Sequence, residues 1–153
     1  LDGLREFEFF RYLAYYLRMA FEEIISTVLR HYPKVQGIYL FGTFGTAMER
    51  SDSDLDISLL LSPAEAKMEK SLAFSACRDE LESLTKRSVD LINLRETNTV
   101  FQNEIITDGR LIYAADGSQI DAFEMYVLSA YQKLNEERAD ILKEIEISGR
   151  VLR

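Results

Sequence analysis

Apolar side chains along the N-terminal stretch recur at helical spacing. Phe10, Leu13, Leu17, Phe21, Ile24 and Val28 step by three and four, which predicts one helix over about 4–29 with an apolar stripe. Phe9, Tyr12, Tyr16 and Met19 form a second set on a neighbouring face, so this helix is greasier than a single core-facing stripe requires. His31-Tyr32-Pro33 ends it, because proline disfavours helical backbone in the residue before it. The period then changes. Gly37–Phe41 reads as a short strand and 55–61 as a second, in which alternation gives way to a buried apolar run. Ser62-Pro63-Ala64-Glu65 combines a serine cap, a proline in the first turn and a glutamate three residues after the cap, and predicts a helix running to about Lys86. A third strand follows at 89–94, a short helix at 99–107, and a fourth strand at 110–114 between Asp108-Gly109 and Asp116-Gly117 turns. Ile120, Phe123, Val127, Tyr131, Leu134, Ile141 and Ile145 mark a long helix ending near Gly149. This order predicts an α/β (α+β) fold, a small mixed sheet flanked by helices, with long helices at both ends.

Composition narrows what such a fold does. The 153 residues, 47% of them hydrophobic, suit one domain spanning 1–153 with a real core and no linker or repeat. Cys77 is the only cysteine, so no intrachain disulfide forms, and with His31 as the only histidine and no evident base, the thiol is expected to be a small buried apolar group. No apolar run approaches the roughly 18–20 residues of a membrane span, and no signal-peptide pattern opens the chain, which points to the cytoplasm. The chain starts without methionine, which fits a processed or trimmed start. A formal charge of −8 works against gripping a long nucleic acid by counterion release.

The chemistry concentrates in "GIYLFGTFGTAMERSDSDLDISLLL". Side chains alternate along a strand, so Asp54 and Asp56 point to one face while Leu55 and Ile57 point to the other. Two such carboxylates share either a proton or a cation. At neutral pH a divalent cation is the economical answer, and hard oxygen ligands suit Mg²⁺ or Mn²⁺. Just before them, Gly42-Thr43-Phe44-Gly45-Thr46-Ala47 is a turn whose glycines let backbone N–H groups approach an anion, with the Thr43 hydroxyl as a further donor. A third acid, Asp90, opens the next strand, where it reaches the pair if the two strands are neighbours. An anion cradle beside a metal-binding carboxylate pair is what phosphate transfer from a nucleotide requires. A glycine turn or a D-x-D alone is more often solvated surface; the conjunction in one strand–loop–strand unit is what favours a site.

Gly42-Thr43, ten intervening residues and then Asp54-Leu55-Asp56 resemble the signature of the nucleotidyltransferase superfamily, specifically its minimal (MNT) class. "VDLINL", "VFQNEII", "GRLIYAAD" and "YQKLNEERADIL" resemble the MntA-type antitoxins paired with HEPN-domain toxins. The resemblance implies a protein adenylyltransferase that moves AMP from ATP onto tyrosine of a HEPN ribonuclease toxin and silences it. It assigns Asp54, Asp56 and Asp90 as catalytic residues and metal ligands, and Gly42 and Thr43 as triphosphate contacts. Threonine stands at 43 where serine is usual, and Thr46 where the family often has a basic residue; Arg50 is the candidate cation in its place.

The implied reaction is in-line attack of the acceptor hydroxyl on the α-phosphorus with loss of pyrophosphate, Mg²⁺-dependent, with Asp90 as a candidate general base. Two other readings stay open. One is a small-molecule nucleotidyltransferase of the antibiotic-modifying sort, the other a non-catalytic module that masks a toxin. The surplus apolar face of the first helix is expected either to lie under the C-terminal helix or to bind another chain, a toxin or a second copy of this one.

Overall fold

The computed structural model describes residues 2–149. Helix α1 spans Asp2–His31, strand β1 Gly37–Phe41 and strand β2 Leu55–Leu60. Helices α2 (Pro63–Glu69) and α3 (Ala76–Thr85) precede β3 (Val89–Asn93), and a short 3₁₀ turn, Leu94–Glu96, leads to α4 (Thr99–Asp108). Strand β4 (Arg110–Ala114) and α5 (Gly117–Ser148) complete the chain.

The four strands lie in the order β3-β2-β1-β4. Strand β1 pairs antiparallel with β2 and β4, whereas β2 and β3 are parallel, so the sheet is mixed as expected. Its apolar side chains divide between two faces. Ile38, Leu40, Leu55, Ile57 and Leu59 pack with Ile24 and Val28 of α1 and Leu81 of α3. Tyr39 and Leu60 pack on the opposite face with Ile105 of α4 and Ile120, Phe123 and Val127 of α5. Period-2 alternation thus feeds two cores at once, which is why β2 reads as a nearly continuous apolar run.

Three expectations change. The helix expected over 62–86 is two helices. Ser62 caps α2 as anticipated, but Lys70 ends it with φ 56°, and Ser75 caps a second helix by accepting from the Arg78 N–H at 3.2 Å. The interruption buries Leu72, and Asn93 of β3 secures it by donating to the carbonyls of Ala66 and Lys70 at 3.0 and 2.8 Å. The apolar stripe of α1 is core only in its second half, since Phe10 and Leu13 are exposed. The neighbouring face, Phe9, Tyr12, Tyr16 and Met19, is also exposed, so α5 does not cover it. Asp116 caps α5 through the Ser118 N–H at 3.0 Å, which makes the expected Asp116-Gly117 turn the first turn of a helix.

Cys77 is buried, and burial pushes its thiol up to about 12, as expected of a structural cysteine. His31 belongs to an ion cluster joining α1 to α3, where it and Arg30 both contact the Glu80 carboxylate. Those two contacts hold Glu80 below the usual carboxylate range. Among the described residues no helix is long and apolar enough to cross a membrane.

Candidate active site

Strand register brings the sequence-predicted carboxylates together. Asp56 of β2 lies opposite Phe41 on one side and Asp90 of β3 on the other. Residues paired across a ladder share a face, so Asp56 and Asp90 stand side by side about one strand spacing, roughly 4.8 Å, apart in backbone. They sit where the apolar floor of the second face runs out. Phe41, the last residue of β1, packs edge-on against Phe101 of α4 with ring centroids 5.6 Å apart. Asp54 is exposed in the segment that leads into β2. Burial first, and then the charges of Asp90 and Asp54, raise the Asp56 carboxyl above its ordinary value. Two acids, Asp90 and Asp54, therefore converge electrically on Asp56. Among the described residues, no group of three such side chains closes into a ready-made metal cage, so the carboxylates form an open set.

The loop from β1 to β2 closes over this set for a reason the sequence suggested only in part. Gly42 has φ +71°, and a Cβ there would collide with Asp56 Oδ2. Its missing side chain thus admits a protein carboxylate as well as any ligand. Gly45, at φ +74°, leaves room for the Arg110 guanidinium, 2.8 Å from where its Cβ would stand. Arg110 also donates to the Phe44 carbonyl. Among the described residues the Thr43 hydroxyl and the N–H groups of Thr43 and Phe44 have no protein partner, whereas the Gly45 N–H donates to Glu49 at 3.3 Å. From Thr43 to Gly45, the donors left uncommitted within the protein are therefore those of Thr43 and Phe44.

Arg87, unmarked in the sequence reading, organises the rest of the loop. Its guanidinium donates to the carbonyls of Arg50 and Ser53 at 3.1 and 2.9 Å. It pairs with Glu49 at 2.7 Å and lies 5.1 Å from the Phe44 ring centroid. Both charged partners are mostly shielded from water. Glu49 in turn holds Gly45, so one arginine ties both ends of the loop to the lead-in of β3. Arg50 contributes differently from expectation. Its backbone is held by Ser53 and Arg87, its side chain is exposed, and among the described residues no contact joins that side chain to the aspartates. Nothing in the sequence marks Arg87 out, because its partners lie more than thirty residues away.

Comparison with known proteins follows the same outline. The polymerase beta nucleotidyltransferase family model matches residues 22–118, which span the loop and all three aspartates. The chain is 31% identical over 125 residues to the protein adenylyltransferase MntA of Shewanella oneidensis, an alignment covering 80% of this chain and 85% of that one. A crystallised toxin–antitoxin complex with AMP-PNP contains a chain that superposes with TM-score 0.64 at 28% identity, covering 82% of this chain and 98% of its own. The MNT antitoxin complex with a tri-AMPylated HEPN toxin, also from Shewanella oneidensis, gives TM-score 0.62 at 27% identity over 84% and 98%. With the family model covering most of the chain and the glycine loop and acidic strand pair in place, this chain belongs to the polymerase beta-type nucleotidyltransferase family, in its minimal, MntA-like class.

Proposed function

We propose that residues 1–153 act as one nucleotidyltransferase domain that moves AMP from ATP to tyrosine hydroxyls of a HEPN-type ribonuclease toxin in the cytoplasm and so silences it. The observation that carries this reading is the register of Phe41, Asp56 and Asp90 beneath a glycine loop whose backbone lies against the Asp56 carboxylate. The toxin as acceptor is supported by the likeness to MntA and to an antitoxin seen with its AMPylated toxin. ATP as donor is supported by the relative with AMP-PNP.

The residues fit Mg²⁺. An open set of hard oxygens, with the Asp56 carboxyl held above its ordinary value by burial and then by its acidic neighbours, suits a cation that is usually bound through one or two carboxylates and completed by water and substrate phosphates. Asp54, Asp56 and Asp90 would hold it, and when bound it supplies neutralisation of the triphosphate and acidifies the acceptor hydroxyl. The chain's own groups perform the remaining work. The Thr43 hydroxyl and the N–H groups of Thr43 and Phe44 receive phosphate oxygens and favour the departing pyrophosphate. Asp90 accepts the phenolic proton as the acceptor oxygen bonds to the α-phosphorus. Arg87, Glu49 and Arg110 keep the loop in register with Asp56, so the reaction depends on positioning and charge and needs no covalent enzyme intermediate.

The test is incubation with ATP labelled in its α-phosphate, Mg²⁺ and a HEPN-type toxin protein as acceptor. Label on a tyrosine of that protein, lost in an Asp54→Asn, Asp56→Asn double variant, is the expected result. Label on a small alcohol alone would move the reading to small-molecule transfer. Toxin inhibition without any label would reduce the chain to a masking module.

A further inference from the structure

We propose that the groove along the outer edge of β3 is the acceptor subsite, where an extended tyrosine-bearing segment of the partner protein lies as an added strand with its hydroxyl at Asp90. The inference rests on the AMP-transfer reading above and gives its protein substrate a place. The groove has a volume of about 550 Å³. Lys67, Lys70 and Ala73 form one wall, Glu96 and Thr97 the other, and the floor is β3 from Asp90 to Asn93. It exists because α2 stops at Lys70 and α3 starts only at Ala76, so no helix crosses the strand there.

The backbone of β3 defines what the groove accepts. The Ser88 carbonyl receives the Leu55 N–H at 2.9 Å, so residues 88, 90 and 92 turn their backbone groups toward β2. Val89 turns outward. Its N–H donates to Glu82 at 3.0 Å and its carbonyl accepts from Arg78 at 3.1 Å, which closes the edge at that residue. By the same alternation Leu91 turns its N–H and carbonyl outward inside the groove, where an extended peptide meets them as a neighbouring strand would. The stretch 90–93 accommodates about three or four peptide residues at roughly 3.3 Å each. Arg78 and Glu82 stop the added strand level with Asp90.

Strand order sets the direction of approach. The glycine loop leaves β1, Asp56 stands on β2 and Asp90 on β3, so loop and Asp90 flank Asp56 from opposite sides, about 10 Å apart across two strand spacings. In-line displacement needs the attacking and leaving oxygens on opposite sides of the phosphorus. With pyrophosphate held at the loop, the phenol arrives from the β3 side. Its oxygen forms the new bond to the α-phosphorus, the bond to the bridging oxygen breaks with its electron pair leaving on pyrophosphate, and the phenolic proton passes to Asp90.

Ala73→Trp tests this from an exposed wall position, with Ser71→Trp beside it should the first variant misfold. Steady-state transfer to the HEPN protein is measured alongside calorimetric binding of AMP-PNP. The expected result is a KM for the protein acceptor raised about tenfold or more, with AMP-PNP affinity unchanged, the mark of lost acceptor binding alone. An unchanged acceptor KM overturns the proposal. Weakened AMP-PNP binding also overturns it, because the groove would then hold the nucleotide. Failure of the unsubstituted chain to label any protein is seen before a variant is made, and it removes the parent reading instead.

Discussion

Asp56 carries two demands that oppose each other. It is tucked under Gly42 and flanked by Asp54 and Asp90, surroundings that favour its neutral form, yet holding a cation needs it ionised. Because its folded value lies above the unfolded one, its contribution to stability is fully present below the unfolded pKa and is lost as pH rises through the folded value. Asp56→Asn keeps the shape and removes the charge. In EDTA at pH 7 this variant should melt above the parent, by about 1–3 °C if the interaction is worth under about 1 kcal/mol at a partly exposed site. The gap should close as pH falls below the ordinary carboxylate range, and Mg²⁺ should raise the melting temperature of the parent only. A scanning fluorimetry series over pH checks all three points. A variant that melts lower than the parent at pH 7 would show that repulsion at Asp56 is negligible.

The loop between β1 and β2 behaves as an element although it has no regular structure. Thirteen residues without helix or strand would ordinarily be mobile, but Arg87 and Arg110 fasten this loop from two other strands' ends. Arg87→Ala removes the guanidinium from the Arg50 and Ser53 carbonyls and from the Glu49 carboxylate, leaving Arg50 only the Ser53 N–H and Glu49 only the Gly45 N–H. The expected outcome is a fall in kcat/KM for ATP of about tenfold to a hundredfold, the scale of losing charged hydrogen bonds worth roughly 1.5–3 kcal/mol. Arg87→Lys should recover only part, because an ammonium lacks the fork that serves the two carbonyls with one nitrogen and Glu49 with the other. A lowered melting temperature with kcat/KM intact would make the clamp purely structural. What the chain discloses in advance follows from the range of the forces involved. Ser62-Pro63 and the strand alternation act locally and are legible, as is the Gly42-to-Asp56 spacing. The division at Lys70 is not, because it depends on Asn93, more than twenty residues on, reaching back to cap α2. Arg87 is illegible for the same reason, and Arg50, next to the aspartates in sequence, carries an exposed side chain with no contact to them among the described residues.

At the scale of the whole molecule, the fold spends its apolar residues unevenly. From Ile24 onward α1 is anchored in the first core, and Leu17 and Phe21 reach the loop at Gly45. Before that point the helix projects with Phe7, Phe9, Phe10, Tyr12, Tyr15 and Tyr16 all exposed, on every side of its axis. So many aromatic side chains in water, even interleaved with Arg5, Glu6, Glu8 and Arg11, ordinarily mark a surface covered by other protein. Its position beside the loop means that whatever encloses it also stands near the glycine turn at Gly45. Since Tyr12 and Tyr16 are 69% and 62% exposed, replacing both by glutamate removes little from the core. The Tyr12→Glu, Tyr16→Glu variant should therefore melt within about 2 °C of the parent, as surface substitutions worth under about 0.5 kcal/mol do. Sedimentation of the chain alone and with the HEPN protein should show a smaller assembly, because aromatic anchors at an interface act as hot spots whose loss costs affinity. Loss of mass in the chain alone assigns the face to a second copy of this chain, and loss only in the mixture assigns it to the toxin. An unchanged assembly with a collapsed melting transition would mean that the aromatic half of α1 folds back onto the domain in solution.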